Sequence, residues 1–460
     1  MGTPLLASVD SDTKQLPGAV RDRIAANLAD PATPEGGVLA DAVAPFVAAD
    51  PTTKQLPDVV RARSAANLSD PTTVEGAALD GRFVKTAARS ARQAVKRALT
   101  SGLSRRDVAP FDWVCWGTSM TEGGPANGAN EVALGRQVRW LDRLQLTLRS
   151  RFPLIAPVAG GIGYVPAFYQ TFFVGGSSAN GRVTPAGVTY SGNLIAVGSG
   201  LASRSLALTA TSDWIQFTFT GDSVDVFGGT LATASTTATV SVDGGAAQPW
   251  ALPTSARKAT KFSVTGLSAG THTIRITGGS AGNVAIDGIM PYNGDRSKGI
   301  RVWDAGKGSA KIGDYGSDST SLIFQSMGLI QPRMLTIEFG FNEYFGNVDP
   351  ALFQTQLTNA AAWMIAPCTV KPTVQFIVFP EPSITGSART YPYQAYVDAV
   401  YAAAAATPNS FVTDLRDALE PGVTAGSAGL GMYFDGVHFN AYGQAAVADL
   451  ILEDALVRMA

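Results

Sequence analysis

Strand-like apolar runs alternate with helix-like amphipathic segments in two stretches of the chain. In the first stretch, the apolar run 113–116 precedes residues 134–148, where apolar positions recur at helical spacing. In the second, which begins near residue 299, the strand-like runs 334–339 and 374–379 are separated by helical segments. Such alternation implies right-handed crossovers between parallel strands. The pattern therefore predicts an α/β fold built on a doubly wound parallel sheet, with ligands at the carboxyl ends of its strands.

Residues from about 165 to 295 follow a different pattern. Charged residues thin out there, while glycine, serine and threonine surround segments such as 271–276 that alternate apolar and polar positions. Alternating runs separated by turns such as Asp243-Gly-Gly predict an antiparallel β-sandwich inserted into the α/β fold. The segment 266–276 resembles a strand motif of jelly-roll modules, some of which bind sugars. We therefore expect either a carbohydrate-binding module or a packing and oligomerisation module, with His272 in a structural role.

The chain opens with an internal repeat. Residues 13–31 return, with some changes, as residues 53–71, and each copy predicts a helix that starts at a proline and stops at Asp-Pro. Helices this short bury too little apolar surface to fold alone, so we expect neighbouring copies of the chain to cover them. The units resemble the N-terminal segments of phage tail and minor tail proteins; the alternative is a cellular protein with a flexible helical leader. Residues 84–107 predict a basic linker helix without the aromatic residues that stack on nucleic-acid bases.

The composition is that of a core-forming chain. With 460 residues, 45% hydrophobic and 16% charged, the sequence has room for two or three domains and excludes wholesale disorder. A net charge of −2 offers no electrostatic footprint for nucleic acid, and no apolar run approaches the roughly 18 residues of a membrane helix. The N-terminus does not have the basic and apolar segments of a secretory signal. Cys115 and Cys368, the two cysteines, are expected to be buried free thiols of a protein made in a reducing cytosol.

Polar residues with catalytic potential follow the predicted strands. Ser119 comes soon after the first apolar run and Gly117, which breaks the strand. A serine nucleophile needs a base that titrates near neutral pH, and of the two histidines in the chain only His438 lies in the α/β part. Asp435 is close enough in sequence to hold that ring, and the amide of Asn342 is a suitable donor to a tetrahedral oxyanion. The order of these residues on successive strand ends favours a serine hydrolase.

Three blocks of the sequence resemble the SGNH (GDSL-type) hydrolase family, over about residues 110–150 and 299–460. The blocks read Gly117-Thr-Ser-Met-Thr-Glu-Gly123, Gly340-Phe-Asn-Glu343 and Asp435-Gly-Val-His438. The family usually has Asp where Thr118 stands in the first block and where Glu343 stands in the second. The last block is intact.

The glycine block of this family has two candidates in the chain. We favour Gly306, which follows Asp304-Ala and precedes the Asn block by a helix. The rival is Gly160, in the segment Val158-Ala-Gly-Gly-Ile-Gly163. Choosing Gly160 would place the β insertion after the second strand of the sheet instead of before it.

The resemblance implies a mechanism and a set of residues. Ser119 would attack an acyl carbonyl, His438 would take its proton, and Asp435 would orient His438. The N–H groups of Ser119 and Gly306 and the Asn342 amide would form the oxyanion hole. No cofactor is implied, and the sequence contains no cluster with metal-ligand spacing.

Three regions are therefore predicted. Residues 1–107 form a helical repeat leader for virion attachment and oligomerisation. Residues 108–164 and 296–460 form an SGNH hydrolase domain with a flavodoxin-like sheet, and residues 165–295 form a jelly-roll-like β-sandwich.

The predicted function is that of a serine esterase on a phage tail protein, made in the host cytoplasm and carried on the virion. It would remove acetyl or other short acyl groups from host-surface glycans. Expected partners are that acyl ester, other virion tail proteins and further copies of the chain in a homotrimer, without nucleic acid. Alternatives are a receptor-binding adhesin with a vestigial hydrolase fold and a lipase for cell-envelope lipids. A glycoside hydrolase would instead use Glu338 or Glu343 with Asp435.

Overall fold

The computed structural model of the chain describes the α/β part, the inserted β region and the helix before them. Both repeat copies, residues 13–31 and 53–71, and the rival glycine Gly160 lie outside the described residues. Within the predicted linker 84–107, residues 95–104 are helical and residues 105–107 form a turn. The described residues are 93, 95–123, 138–154, 163–170, 182–191, 194–231, 237–279, 284–316, 319–383, 389–419 and 431–456.

The strands are numbered in chain order. They are β1 (Phe111–Gly117), β2 (Val165–Pro166), β3 (Tyr169–Gln170), β4 (Arg182–Val183), β5 (Val188–Tyr190), β6 (Ile195–Val197), β7 (Ser205–Leu208), β8 (Trp214–Gly221), β9 (Ser223–Thr230), β10 (Thr237–Val242), β11 (Gln248–Ala251), β12 (Ala259–Val264), β13 (Gly270–Thr277), β14 (Val284–Tyr292), β15 (Ile300–Gly306), β16 (Met334–Glu338), β17 (Thr373–Val378) and β18 (Ser410–Asp414). The helices from β1 onward are α1 (Ser119–Glu122), α2 (Trp140–Arg151), α3 (Leu322–Ile330), α4 (Phe341–Phe345), α5 (Pro350–Ile365), α6 (Tyr393–Ala406) and α7 (Ala441–Ala455). A 3₁₀ turn spans Ile312–Tyr315.

Five parallel strands form one sheet, in the order β15-β1-β16-β17-β18. Counted along the chain within this sheet alone, the order is 2-1-3-4-5, which is the flavodoxin-like arrangement. The α/β prediction is therefore confirmed. Along the chain, β15 is the next strand of this sheet after β1. Gly306, at its end, is the register partner of Gly117 at the end of β1. The β insertion enters the chain before β15, as the choice of Gly306 requires.

The parallel strands are covered by helices. Every position of β1, β15, β16 and β17 is buried, as expected for a parallel sheet with packed faces. The edge strand β18 instead alternates between buried and half-buried residues. Helix α2 packs against α7, and α5 packs against α3 and α6. Among the described residues, no helix is long and apolar enough to cross a membrane.

A ladder of polar side chains crosses the interior of the sheet. The Trp113 indole donates to Thr336 Oγ1 at 2.7 Å, and Thr336 donates to Gln375 Oε1 at 3.1 Å. Gln375 then donates to Thr413 Oγ1 at 2.7 Å, and Thr413 donates to Asp454 of α7 at 2.5 Å. Each buried group thus finds a partner, which avoids the cost of an unpaired polar atom. The ladder ties neighbouring strands to the last helix.

The inserted residues form two antiparallel sheets. One has the order β11-β10-β13-β8-β5, and the other has the order β12-β9-β14-β7-β6 with β2 added on β14. Apolar side chains from both sheets, including Phe217, Ile274 and Ile286, form a core of their own. The expected sandwich-like insertion is therefore confirmed. Short β3 and β4 pair separately.

The sandwich is joined to the parallel sheet through a shared apolar layer. Strands β9 and β14 are buried at every position, so both faces of these strands are covered. Phe227 and Tyr292 of these strands belong to the core cluster of the α/β part. The Phe227 ring meets Trp303 of β15 edge-on at 5.0 Å, and Tyr164 lies 5.5 Å from the same indole. Aromatic pairs of this kind add to the area that they bury, so the insertion is docked and not merely tethered.

The predictions for the cysteines and for the first histidine agree with the structure. Cys115 and Cys368 are buried and free. His272 of β13 bonds through Nδ1 to Asp243 at 2.6 Å and through Nε2 to the Ser268 carbonyl at 2.7 Å. Both ring nitrogens thus hold the turns at the end of the sandwich, which is the structural role expected of this residue.

Candidate active site

The turn between β1 and α1 presents Ser119. Thr118 caps α1, and its N–H and hydroxyl donate to the carboxylate of Glu338, with Thr118 N at 2.8 Å from Oε2. The Thr121 hydroxyl donates to the same oxygen at 2.9 Å. A Cβ on Gly117 would lie 2.4 Å from Thr121 Oγ1 and 2.5 Å from Glu338 Oε2, so only glycine fits. The carboxylate below the turn therefore sets the direction of Ser119.

Ser119, His438 and Asp435 meet, although the first two are far apart in sequence. Ser119 Oγ lies 2.9 Å from His438 Nε2, and His438 Nδ1 lies 2.9 Å from Asp435 Oδ2. Since an ionised carboxylate only accepts, Nδ1 carries a proton and donates it to Asp435. In the neutral ring, Nε2 is then the acceptor for the Ser119 hydroxyl. This is the geometry of a nucleophile, a base and an orienting acid.

The loop 435–438 is rigid because one carboxylate serves both its backbone and its ring. Asp435 Oδ1 accepts the N–H groups of Val437 at 2.8 Å and His438 at 2.6 Å. Asn440 follows as the cap of α7, accepting from Tyr442 and Gly443. Partial burial works to raise the pKa of Asp435, but the His438 ring and these N–H groups outweigh it and hold that pKa below its ordinary value. Asp435 is therefore ionised while it accepts the hydrogen bond from His438 Nδ1.

Two of the predicted oxyanion donors, the N–H groups of Ser119 and Gly306, have different surroundings. Ser119 is the first residue of α1. The Gly306 N–H donates to Asp304 Oδ1 at 3.0 Å, and a Cβ there would lie 2.3 Å from the backbone nitrogen of Glu122. Gly306 thus lies packed against α1, and its N–H already has an acceptor other than an oxyanion. Its predicted role as a donor has no support in this arrangement.

Asn342, on α4, is held by one of its two amide N–H groups. This group donates to the Ala310 carbonyl at 2.8 Å, which links α4 to the loop that follows β15. A primary amide has a second N–H, so Asn342 retains a donor for a ligand. The residue is half-buried, and its role as an oxyanion donor stays a prediction.

Glu338 and Glu343 are buried and serve the backbone. Glu338 is 2% exposed and bonds to the Ser119 turn as described above. Glu343 is 1% exposed and accepts the N–H groups of Gly340 at 2.9 Å and Ile312 at 2.6 Å. Neither carboxylate is placed to act on a sugar with Asp435. The alternative of a glycoside hydrolase thus has no support in the geometry.

A buried charge cluster, which the sequence did not predict, lies beside the Ser119 turn. The side chains of Arg139 and Arg204 both contact Asp304 of β15, with nitrogen–oxygen distances of 2.7 and 2.9 Å. Arg139 also pairs with Asp142 at 2.7 Å, and Arg204 pairs with Glu122 at 2.8 Å. One local feature could have pointed to this cluster: Glu122 and Asp304 are charged residues in segments that are otherwise buried. Among the described residues, no group of histidine, cysteine and carboxylate side chains could hold a metal ion.

Burial raises the pKa values of Glu338 and Glu343. Desolvation is the largest effect for Glu338 and for Glu343, and the hydrogen bonds offset only part of it, so each pKa rises from 4.5 to about 7. Between these two values the folded protein retains protons that the unfolded chain has released. The contribution to stability is therefore full below about pH 4.5 and is lost as the pH rises through about 7.

We expect Glu338→Gln to reduce the loss of folding stability as the pH rises. Relative to wild type, the variant should lose about 3 kcal/mol less of its unfolding free energy between about pH 4.5 and 8, because an amide does not titrate. Urea unfolding across this range measures the slope. Asp398→Asn, which removes an exposed carboxylate from α6, is the matched control and should keep the wild-type slope. Parallel curves for wild type and Glu338→Gln would contradict the assignment.

Comparison with known proteins gives matches among solved structures alone. No protein-family model and no curated protein sequence matches the chain. A structure of a peptidoglycan O-acetylesterase in action aligns over 78% of this chain and 93% of its own, with 16% identity and a TM-score of 0.49. A family two carbohydrate esterase from Clostridium thermocellum, in complex with cellohexaose, aligns over 58% of this chain and 97% of its own, with 11% identity and a TM-score of 0.27.

A third match has a different activity. A salicylyl-acyltransferase from a tetracycline biosynthetic pathway aligns over 58% of this chain and 94% of its own, with 11% identity and a TM-score of 0.27. At identities and TM-scores this low, similarity to other structures does not specify a reaction.

Proposed function

We propose that this protein is a serine ester hydrolase. The observation that carries the proposal is the continuous hydrogen-bonded series of Ser119, His438 and Asp435, with both links at 2.9 Å. The three side chains lie at the carboxyl end of the parallel sheet, where α/β folds bind ligands. Ser119 is 6% exposed, so its hydroxyl is sheltered from bulk water.

The mechanism follows from the placement of the protons. His438 Nε2 accepts the Ser119 proton as Oγ attacks the acyl carbonyl, and Asp435 stabilises the imidazolium that forms. The second N–H of Asn342 and the N–H of Ser119 are the proposed donors to the tetrahedral oxyanion. His438 returns the proton to the leaving alcohol, and the acyl group remains on Ser119. A water molecule, activated by the same ring, then releases the acid.

The finer proposal is that the acyl group is acetyl or a similarly short group on a glycan. It is supported by the blocks 117–123, 340–343 and 435–438, which resemble those of SGNH esterases. Sugar binding by the docked sandwich is a separate expectation. Long acyl chains and receptor binding without turnover are the alternatives that the assay must separate.

Acetate release from O-acetylated polysaccharides tests this function. Full-length protein should release acetate from at least one such polymer and should hydrolyse p-nitrophenyl acetate in preference to p-nitrophenyl palmitate. Preference for the palmitate would favour a lipase. Binding to the polymers with no turnover of any ester would favour an adhesin and would overturn the hydrolase proposal.

The setting proposed for this esterase is a phage tail, with other tail proteins as neighbours and three copies of the chain assembled through residues 1–107. The support is the internal repeat in the sequence, residues 13–31 and 53–71, since helices of the length predicted there are too short to fold alone. Light scattering on the full-length protein measures its mass. A monomeric mass would contradict the oligomeric part of this proposal.

A further inference from the structure

We propose that Arg204, which is carried by the inserted sandwich, is a positioning residue for the esterase site. Through Glu122 and Asp304 it holds α1 and the loop 306–310 in register with each other. The sandwich would then act as part of the catalytic framework, in addition to any binding that it performs. This inference rests on the proposed function for its kinetic consequences.

Arg204 joins two elements that flank the nucleophile. Its Nη1 donates to Glu122 Oε1 at 2.8 Å, and Glu122 lies on α1 with Ser119. Its Nη2 forms an ion pair with Asp304 Oδ1 at 2.9 Å. The planar guanidinium thus spans carboxylates from two different segments of the chain, which the compact ammonium of lysine does less well.

The two carboxylates pass this constraint to the loop after β15. Glu122 Oε2 accepts the Gly308 N–H at 2.6 Å, and Asp304 Oδ1 accepts the Gly306 N–H at 3.0 Å. The loop also provides the Ala310 carbonyl that holds the Asn342 amide. Ser119 and Asn342, the two proposed oxyanion donors, are therefore linked through one set of buried contacts.

The cluster is sealed from solvent. The Arg204 side chain has no exposed surface, and those of Glu122 and Asp304 are 3% and 1% exposed. The Tyr169 ring covers the guanidinium groups of Arg204 and Arg139 at 5.3 and 5.1 Å. Arg204 is thus too deeply buried to contact a substrate in this arrangement, so its influence on turnover must be indirect.

The fold of the sandwich presents Arg204 in a defined position. The preceding residue, Ser203, has a left-handed backbone with φ of 52°. Asp287 of β14 accepts the Ser205 hydroxyl at 2.5 Å and the Leu201 N–H at 3.3 Å, on either side of Arg204. A loop fixed in this way can transmit the docking of the sandwich to the site.

Stability alone does not account for such a cluster. Desolvation of buried ions offsets much of their attraction, and replacing a whole buried ion pair or triad by apolar side chains of similar volume is often neutral or stabilising. Burial works against the charged forms of Arg204 and Asp304, yet their mutual attraction and the neighbouring charges raise the pKa of Arg204 and lower that of Asp304. Both side chains stay ionised, and what the pairing provides is a fixed geometry.

Arg204→Met in the full-length protein tests the proposal. We expect kcat on p-nitrophenyl acetate to fall about a hundredfold with KM within about twofold, because small misplacements of catalytic groups have effects of this size. Hydrogen exchange should accelerate at least about tenfold in residues 117–123 and 306–311, while residues 214–221 and 373–378 keep wild-type protection. Arg204→Lys should recover part of kcat.

A control variant removes an arginine that belongs to a different ion pair. Arg296 pairs with Asp225 within the sandwich and its linker to β15, and it makes no contact with Glu122 or Asp304. Arg296→Met should leave kcat and the exchange of residues 117–123 near wild type.

Two outcomes would overturn the positioning role. One is a wild-type kcat and wild-type exchange in Arg204→Met. The other is uniform loss of protection across the sandwich and the parallel sheet in both Arg204 variants, which would show a merely structural role. If wild-type protein hydrolyses no ester, the proposed function fails, and the exchange pattern still decides whether Arg204 positions these segments.

Discussion

Replacing Ser119 by alanine is expected to abolish ester hydrolysis without unfolding the protein. The substitution removes the oxygen that is proposed to attack the acyl carbon and to pass its proton to His438 Nε2, 2.9 Å away. Loss of a serine nucleophile costs about a millionfold in kcat in enzymes that use such a series of residues. The turn itself should persist, since its contacts with Glu338 come from Thr118 and Thr121. Hydrolysis of p-nitrophenyl acetate and the circular dichroism spectrum measure the two parts.

Ser326→Ala is the matched control for this experiment. It removes another buried hydroxyl, one that donates to the Leu322 carbonyl within α3 at 2.8 Å. We expect its kcat to stay within about threefold of wild type, since this hydroxyl donates within its own helix and not to Ser119, His438 or Asp435. Wild-type activity in Ser119→Ala would show that Ser119 is not the nucleophile.

Asp435→Asn is also expected to lower kcat strongly. The backbone N–H groups of Val437 and His438 both donate to Oδ1, so an asparagine keeps them by placing its carbonyl oxygen there. Its amide nitrogen then faces His438 Nδ1 and donates to it, which forces the ring proton onto Nε2. A protonated Nε2 cannot accept the Ser119 proton. In another serine hydrolase, a change of this kind lowers kcat about 10⁴-fold.

Steady-state kinetics and unfolding midpoints of Asp435→Asn separate the tautomer effect from damage to the loop. Asp414→Asn, which removes a carboxylate paired with Arg416 at 2.7 Å on β18, is the control and should retain activity. A kcat of Asp435→Asn within about tenfold of wild type would show that Asp435 does not set the tautomer of His438.

Much of the architecture was readable from the order of residues along the chain. Hydrophobic periodicity distinguished parallel strands, which are buried along their length, from the alternating strands of the sandwich. Periodicity is a local property of the chain, and the two kinds of sheet impose different periods on it. The same reasoning placed Ser119, Asn342 and His438 after strands or before a helix.

The sequence also narrowed the base to one residue. With two histidines in the chain, and one of them on a sandwich strand, His438 was the remaining choice. Its distance to Asp435 was foreseeable because three residues of separation allow a carboxylate to reach both ring and backbone. The meeting of His438 with Ser119, across the sheet, depends on strand order, and the order 2-1-3-4-5 provides it.

The sequence could not predict contacts between charged residues that are far apart along the chain. Arg204, Glu122 and Asp304 lie in separate segments, and each alone reads as an ordinary charged residue. The Gly306 N–H likewise was predicted as an oxyanion donor, whereas the carboxylate two residues before it accepts that N–H. Competition for a hydrogen bond depends on which groups are nearest in space.

The class of fold, the insertion of a β region and the residue types available for acyl transfer could all be predicted from the order of the amino acids. These follow from periodicity and from the few side chains that can act as nucleophile, base and oxyanion donor. The tertiary structure alone decided which of those side chains meet, which N–H groups are already occupied and how the sandwich contacts the Ser119 turn. Such contacts join residues that are remote along the chain, and only packing in three dimensions brings them within hydrogen-bonding distance.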